Sequence, residues 1–99
     1  MVSKIKQINN NHVVVCDYIN NGEYIYKFYS YSTLIATYNT EKKTIELTDS
    51  WNYSRTTQKY LKTFLNDFCS VYYDGKKELI NIINKGYYLN NKINICIKL

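Results

Sequence analysis

Proline is absent from the sequence, and glycine occurs only three times, at Gly22, Gly75 and Gly86. Three glycines so far apart exclude a phosphate-cradling loop, which needs several within one turn. The single histidine, His12, excludes the HExxH helix of a metalloprotease, and no GxSxG nucleophile elbow occurs. The carboxylates are scattered, so no pair stands out for general acid–base work. No apolar run approaches the roughly 20 residues of a membrane-spanning helix. The opening segment MVSKIKQINN lacks the apolar stretch of a secretory signal. These absences lead to the expectation of a cytoplasmic protein with no membrane contact, no catalytic residues and no cofactor.

Cysteine is sparse too. Cys16, Cys69 and Cys96 are an odd number without CxxC spacing, and they read as three reduced thiols. Their neighbours Val15, Phe68, Ile95 and Ile97 are apolar, so packing in the core or the sheet is the expectation. With His12 they complete a Cys3His set only formally. No two of those ligands stand at zinc-site spacing, so no metal is expected.

What the chain does contain is narrow. Thirteen Asn and twelve each of Ile, Lys and Tyr supply 49 of 99 positions. All four types have A/T-rich codons, so part of the lysine and asparagine content reflects coding bias rather than function. An apolar fraction of 45% and an aromatic fraction of 16% nevertheless rule out a disordered chain. The length fits a single domain over residues 1–99. A domain this small buries only about 60–70% of its unfolded surface, which leaves room for stabilisation by a partner subunit.

The first half reads as strands. Residues 2–8 form a weak first strand, and HVVVCDYI (12–19) is rich in β-branched residues. Asn20-Asn21-Gly22 then signals a hairpin. The run 23–38 is too long for one strand and breaks near Ser30-Tyr31-Ser32. A polar tip, Asn39 to Lys43, leads into Thr44–Thr48, where Ile45 and Leu47 share a face. The period then changes. Tyr60, Leu61, Phe64, Leu65, Phe68 and Cys69 follow helical spacing, which predicts a long helix over about 54–69 with Ser54 as N-cap. Asp74 caps a second, shorter helix over about 75–85, with Leu79, Ile82 and Ile83 as its stripe and Gly86 at its end. Residues 92–98 alternate strictly and form a C-terminal strand. The expected fold is α+β: an antiparallel sheet of about five or six strands packed on the long helix.

Binding is the function class that composition favours. The net charge is +5, and a basic surface attracts polyanions by counterion release. Twelve tyrosines exceed what so small a core can satisfy, because each buried hydroxyl needs a partner. Exposed Tyr beside Lys stacks on bases, yet Tyr is equally favoured at protein–protein hot spots. His12, after three asparagines, reads as an exposed turn residue. The candidate binding residues are Tyr53, Arg55, Thr56, Lys59 and Lys62 around and along the long helix, with Tyr29 and Tyr31 beside the strand break. Ser54 as cap, Thr57 at N3, and Trp51 and Tyr53 as a staple to the sheet give the same region a structural role. A helix N-terminus with Arg55 and two threonine hydroxyls also suits an anion.

The stretch Ser30-Tyr31-Ser32-Thr33-Leu34-Ile35-Ala36, followed by Trp51 through Leu65, has the pattern SYxTxIA … WxYSxTTxKxLxxFL. It resembles a recurrent domain in small phage and mobile-element proteins of low-GC Gram-positive bacteria, a family with no defined activity. The resemblance covers about a third of the chain. Members often carry histidine where this sequence has Tyr60, which speaks against catalysis at that position. What the resemblance implies is a setting of phage accessory genes, whose small products bind and disable host defences, anti-CRISPR proteins among them. The leading expectation is therefore a non-enzymatic protein that binds a host protein target, such as a CRISPR effector. The alternative is a nucleic-acid-binding accessory protein, since +5 and surface tyrosines suit DNA or RNA equally.

If the cysteines are packing residues, reducing agent and EDTA will each leave the melting temperature unchanged. A large drop on chelation would establish a structural metal instead.

Overall fold

The structure, a computed structural model, describes residues 3–9, 11–19, 22–88 and 93–97. Its elements run β1 (Ser3–Asn9), β2 (His12–Tyr18), β3 (Tyr24–Ser30), β4 (Thr33–Asn39) and β5 (Thr44–Leu47). Helices α1 (Arg55–Phe68) and α2 (Lys76–Lys85) follow, then β6 (Tyr87–Tyr88) and β7 (Ile93–Ile97). One sheet holds every strand in the order β1-β2-β3-β4-β5-β7-β6. The α+β expectation holds, with a two-residue edge strand, β6, added to those foreseen. Residues 20 and 21 of the expected hairpin turn lie outside the described residues, but Gly22 takes the left-handed φ of 81°. Among the described residues no helix is long and apolar enough to cross a membrane.

The first five strands form an antiparallel meander. β7 departs from the expected antiparallel pattern by pairing parallel to β5. Strict alternation says which face of a strand is buried but not which way it runs. Here the two helices form the long crossover that a parallel pair requires.

Burial explains most of the alternation. Val14, Phe28, Ile45, Leu47, Ile93 and Ile95 all turn to the helix side and are buried. β4 breaks the rule, because Ile35 and Ala36 are consecutive and both buried. The register supplies the reason. Tyr29 faces Leu34 and Phe28 faces Ala36, so Ile35 is an extra residue, a β-bulge. Thr48 satisfies the distorted backbone: its hydroxyl donates to Leu34 O at 2.7 Å and its N–H to Ile35 O at 2.9 Å.

Helix α1 begins as its sequence requires. Ser54 is the N-cap, and its Oγ accepts from the Thr57 N–H at 3.1 Å. Leu61, Phe64 and Leu65 are fully buried. Phe64 stacks on Phe28 with centroids 5.5 Å apart, and this pair fastens the helix to the middle of the sheet. Trp51 is 9% exposed and belongs to the same core, with its carbonyl accepting from Gln58 Nε2 at 2.6 Å. Tyr53 is exposed and staples nothing. Ser70, at φ 58°, turns the chain out of the helix.

Helix α2 corrects one expectation. Its N-cap is Gly75, without a side-chain bond, rather than Asp74. The Asp74 N–H instead donates to Glu78 Oε2 at 3.1 Å, because Asp74 stands one residue outside the cap. Gly86 closes the helix at φ 82°, a conformation glycine adopts without a Cβ penalty. The cysteines divide. Cys69 is buried, which pushes its thiol pKa up, and Cys16 is half-buried. Cys96 is exposed, because the buried set of β7 is Ile93 and Ile95, one register step away.

Ser54→Ala should lower stability by about 1 kcal/mol through the lost cap. Trp51→Ala should cost about 3–5 kcal/mol through cavity formation. Urea titrations measure both, and equal small effects would contradict this account of the helix start.

Candidate functional site

Three segments meet at one end of the sheet: the first residue of β2, the turn after β3, and the first turn of α1. His12 pairs with Ser30 across β2 and β3. The register puts both side chains on the face that carries Val14 and Phe28, under the helix. His12 is only 1% exposed, which overturns the reading of an exposed turn histidine. The three preceding asparagines suggested a turn, but the alternation from Val14 back to His12 already placed the imidazole inward. Its ring stacks on Tyr60 at 4.2 Å and meets Tyr31 edge-on at 5.7 Å.

A chain of hydrogen bonds runs through this junction. His12 Nε2 lies 3.1 Å from Ser30 Oγ, which lies 3.3 Å from Thr57 Oγ1. Ser54 Oγ donates to Thr57 Oγ1 at 3.1 Å. The direction Ser54 to Thr57 to Ser30 to His12 makes each intervening hydroxyl both donor and acceptor. It ends on a neutral imidazole nitrogen. Burial favours that form by holding the His12 pKa below its ordinary value. The His12–Ser30 distance would suit a base and its nucleophile. Ser30 is 5% exposed and bonded on both sides, and the pair joins sheet to helix as a strut.

Above the strut opens a cleft of about 380 Å³. Tyr31 and Tyr53, 67% and 82% exposed, stand at its rim. Ile35 lies at its base, with hydroxyl-bearing Ser30, Thr33, Ser50 and Thr57 around it. Tyr31 has a left-handed φ of 57°, which costs a non-glycine residue roughly 1–2 kcal/mol. Its N–H donates to Asn11 O at 2.6 Å, which helps hold that conformation. A second crevice adjoins through Tyr53 and is lined by Asn52, Ser54, Arg55, Gln58 and Lys76. Among the described residues no carboxylate lines either one.

The fold thus brings together Tyr31, Tyr53 and Arg55 among the candidates read from sequence. Thr56 is exposed beside them, and Lys59 is exposed one turn along α1, its Nζ 5.4 Å from the Tyr60 centroid. Two candidates separate from the group. Lys62 donates to Asp74 O at 3.0 Å and sits 5.8 Å from the Tyr73 centroid, because the segment after α1 folds back over that part of the helix. Tyr29 faces the other side of the sheet, opposite Val13 and Leu34. The Thr57 hydroxyl points into the junction and does not contribute an outward anion ligand. Sequence reasoning missed His12, although strand alternation signalled it, and missed Ser30, Ser50 and Lys76, which long-range packing brings here. Among the described residues no three His, Cys, Asp or Glu side chains gather as metal ligands.

Fold and site together define a small α+β protein with helices against one sheet face and a tyrosine-rimmed cleft at the sheet–helix junction. The chain belongs to a family of unknown function, DUF8033, whose model matches residues 3–81. That span includes every residue lining the two clefts and ends within α2. Comparisons with curated proteins and with solved structures gave no match.

The lowered pKa of His12 has a thermodynamic consequence. As pH falls through the unfolded value of about 6.5, the unfolded chain takes up a proton that the folded chain resists. Stability should therefore fall between pH 7 and pH 5.5, and His12→Gln should flatten that slope. Equal stability of the unmutated chain across this window would contradict a buried neutral imidazole.

Proposed function

We propose that this chain is a non-enzymatic binding protein that recognises a nucleic acid through the basic, tyrosine-bearing surface at the start of α1. The observation that carries this reading is the position of Lys76. It stands 21 residues after Arg55 in the chain, yet both line one crevice around exposed Tyr53. In the sequence the cations look dispersed, and dispersion favours a protein partner. The fold nevertheless brings Arg55 of α1 and Lys76 of α2 to one crevice. Lys59 lies on the Arg55 side of α1, because residues four apart share a helix face. Among the described residues none of the three is in an ion pair. Exposed cations beside an exposed aromatic ring suit a phosphate backbone with unstacked bases. Asp74 and Glu78 lie near the start of α2 but line neither cleft.

A second reading rests on a different observation. Tyr31 and Tyr53 are large, exposed and adjacent, which is also how protein-binding hot spots are built. With the phage setting implied by the sequence pattern, this supports an inhibitor that docks on a bacterial immune effector of the CRISPR type.

Salt dependence separates the two. Binding to single-stranded DNA or RNA should weaken steeply with salt, and Arg55→Glu with Lys59→Glu should abolish it. Neutralising either residue alone should flatten the log–log slope by about 0.7. If instead no oligonucleotide binds, and a host protein is captured equally with and without nuclease, the inhibitor reading stands.

A further inference from the structure

We propose that the two adjoining clefts form one site for a single nucleotide unit. The base occupies the cleft between Tyr31 and Tyr53, and its phosphate lies against Arg55 and Lys76. This rests on the nucleic-acid reading above and goes further, by separating a base-holding part from a phosphate-holding part.

The chemistry of the two linings differs sharply. Among the described residues no ionised side chain lines the first cleft, which has tyrosines at its rim, Ile35 at its base and hydroxyls around it. An uncharged, planar group with polar edges fits that combination. Its faces pack on aromatic rings, and its edges meet groups that donate and accept. At about 380 Å³ the cleft lies within the range of small-ligand sites. The second crevice supplies the complementary charge. Arg55 offers a planar fork of donors suited to phosphate oxygens, and Lys76 offers a point charge. Tyr53 belongs to both linings, so a ligand whose flat and anionic parts are covalently joined spans them without leaving the surface.

Tyr31, one wall of the base-holding part, is also held in place before any ligand arrives. Tyr31 is held by its left-handed turn, by the bond from its N–H to Asn11 O, and by the edge-on imidazole of His12. His12 is in turn braced through Ser30 and Thr57 to the helix. A rigid stacking residue loses little freedom on binding.

The test measures anisotropy with the full chain and a labelled single-stranded oligonucleotide, set against the same backbone made abasic. Unlabelled mononucleotide and polyglutamate serve as competitors. The abasic backbone should bind about tenfold more weakly, the order expected for loss of one stacked base. Tyr31→Ala should weaken binding of the intact oligonucleotide to a similar extent and leave abasic binding unchanged, while Tyr31→Phe should retain it. Tyr53→Ala, at a highly exposed position, gives a second variant that does not threaten the fold. Competition by mononucleotide supports the site with a free nucleotide as ligand. Failure of mononucleotide to compete, with the base dependence intact, supports it with a strand as ligand. Equal binding of intact and abasic backbones, while Arg55→Glu still weakens both, would overturn the base site and leave the nucleic-acid reading standing. Displacement by polyglutamate as readily as by oligonucleotide would overturn it in favour of an acidic protein segment. Absence of binding to any of these nucleic acids would overturn both readings.

Discussion

The hydrogen-bonded joint from Ser54 through Thr57 and Ser30 to His12 is the constraint on which the rest of the molecule depends. It links the first turn of α1 to the ends of β3 and β2, three segments far apart in the chain. Each bond is worth only about 1 kcal/mol net, but breaking one strands a buried polar group at about 1–3 kcal/mol. The joint is therefore more costly to disturb than to form. It also determines where α1 starts over the sheet, and the Phe28–Phe64 stack then holds the middle of the helix. With both ends of that contact fixed, α1 has little freedom to slide.

From this joint follows the division of the helix start: Thr57 is buried, and Ser54, though exposed, is tied to it. Ser54 and Thr57 spend their hydroxyls on each other and on Ser30. Tyr53, Arg55 and Thr56 stand outside, exposed. The same five residues thus serve stability on one side and offer a surface on the other. The β4 bulge contributes to the cleft. By turning Ile35 inward beside Ala36, it leaves an apolar base below the hydroxyls, and Thr48 satisfies the backbone that the bulge disturbs.

Much of this architecture was legible because it is encoded locally. The change from period two to helical spacing marks α1, Ser54 at the boundary caps it, and Gly86 ends α2 with a conformation few other residues accept. The break at Tyr31 was visible because a strand of sixteen residues would be too long. What was not legible depends on partners distant in sequence. His12 looked like a turn residue because its neighbours are asparagines; its burial comes from pairing with Ser30 and from the Tyr60 ring above. Cys96 shares apolar neighbours with a core residue, but a strand buries alternate positions and Cys96 occupies the other set. The direction of β7 is invisible to alternation, which is unchanged when a strand is reversed.

Charge shows the same limit from the functional side. Lysine shares A/T-rich codons with the asparagine, isoleucine and tyrosine that dominate this chain, so its abundance alone argues for nothing. Placement is what discriminates. Lys62 sits in the same helical stripe as Arg55 and Lys59, and sequence spacing treats the three alike. Yet the segment after α1 folds over it, so its ammonium is engaged by Tyr73 and the Asp74 carbonyl. Lys76, which the sequence placed among scattered charges, lies instead beside Arg55. One cation is engaged elsewhere and another joins Arg55, with no change in composition or net charge. The charge pattern of this face is thus a product of where the loop after α1 and the start of α2 come to lie. It depends on that placement rather than on the number of basic residues.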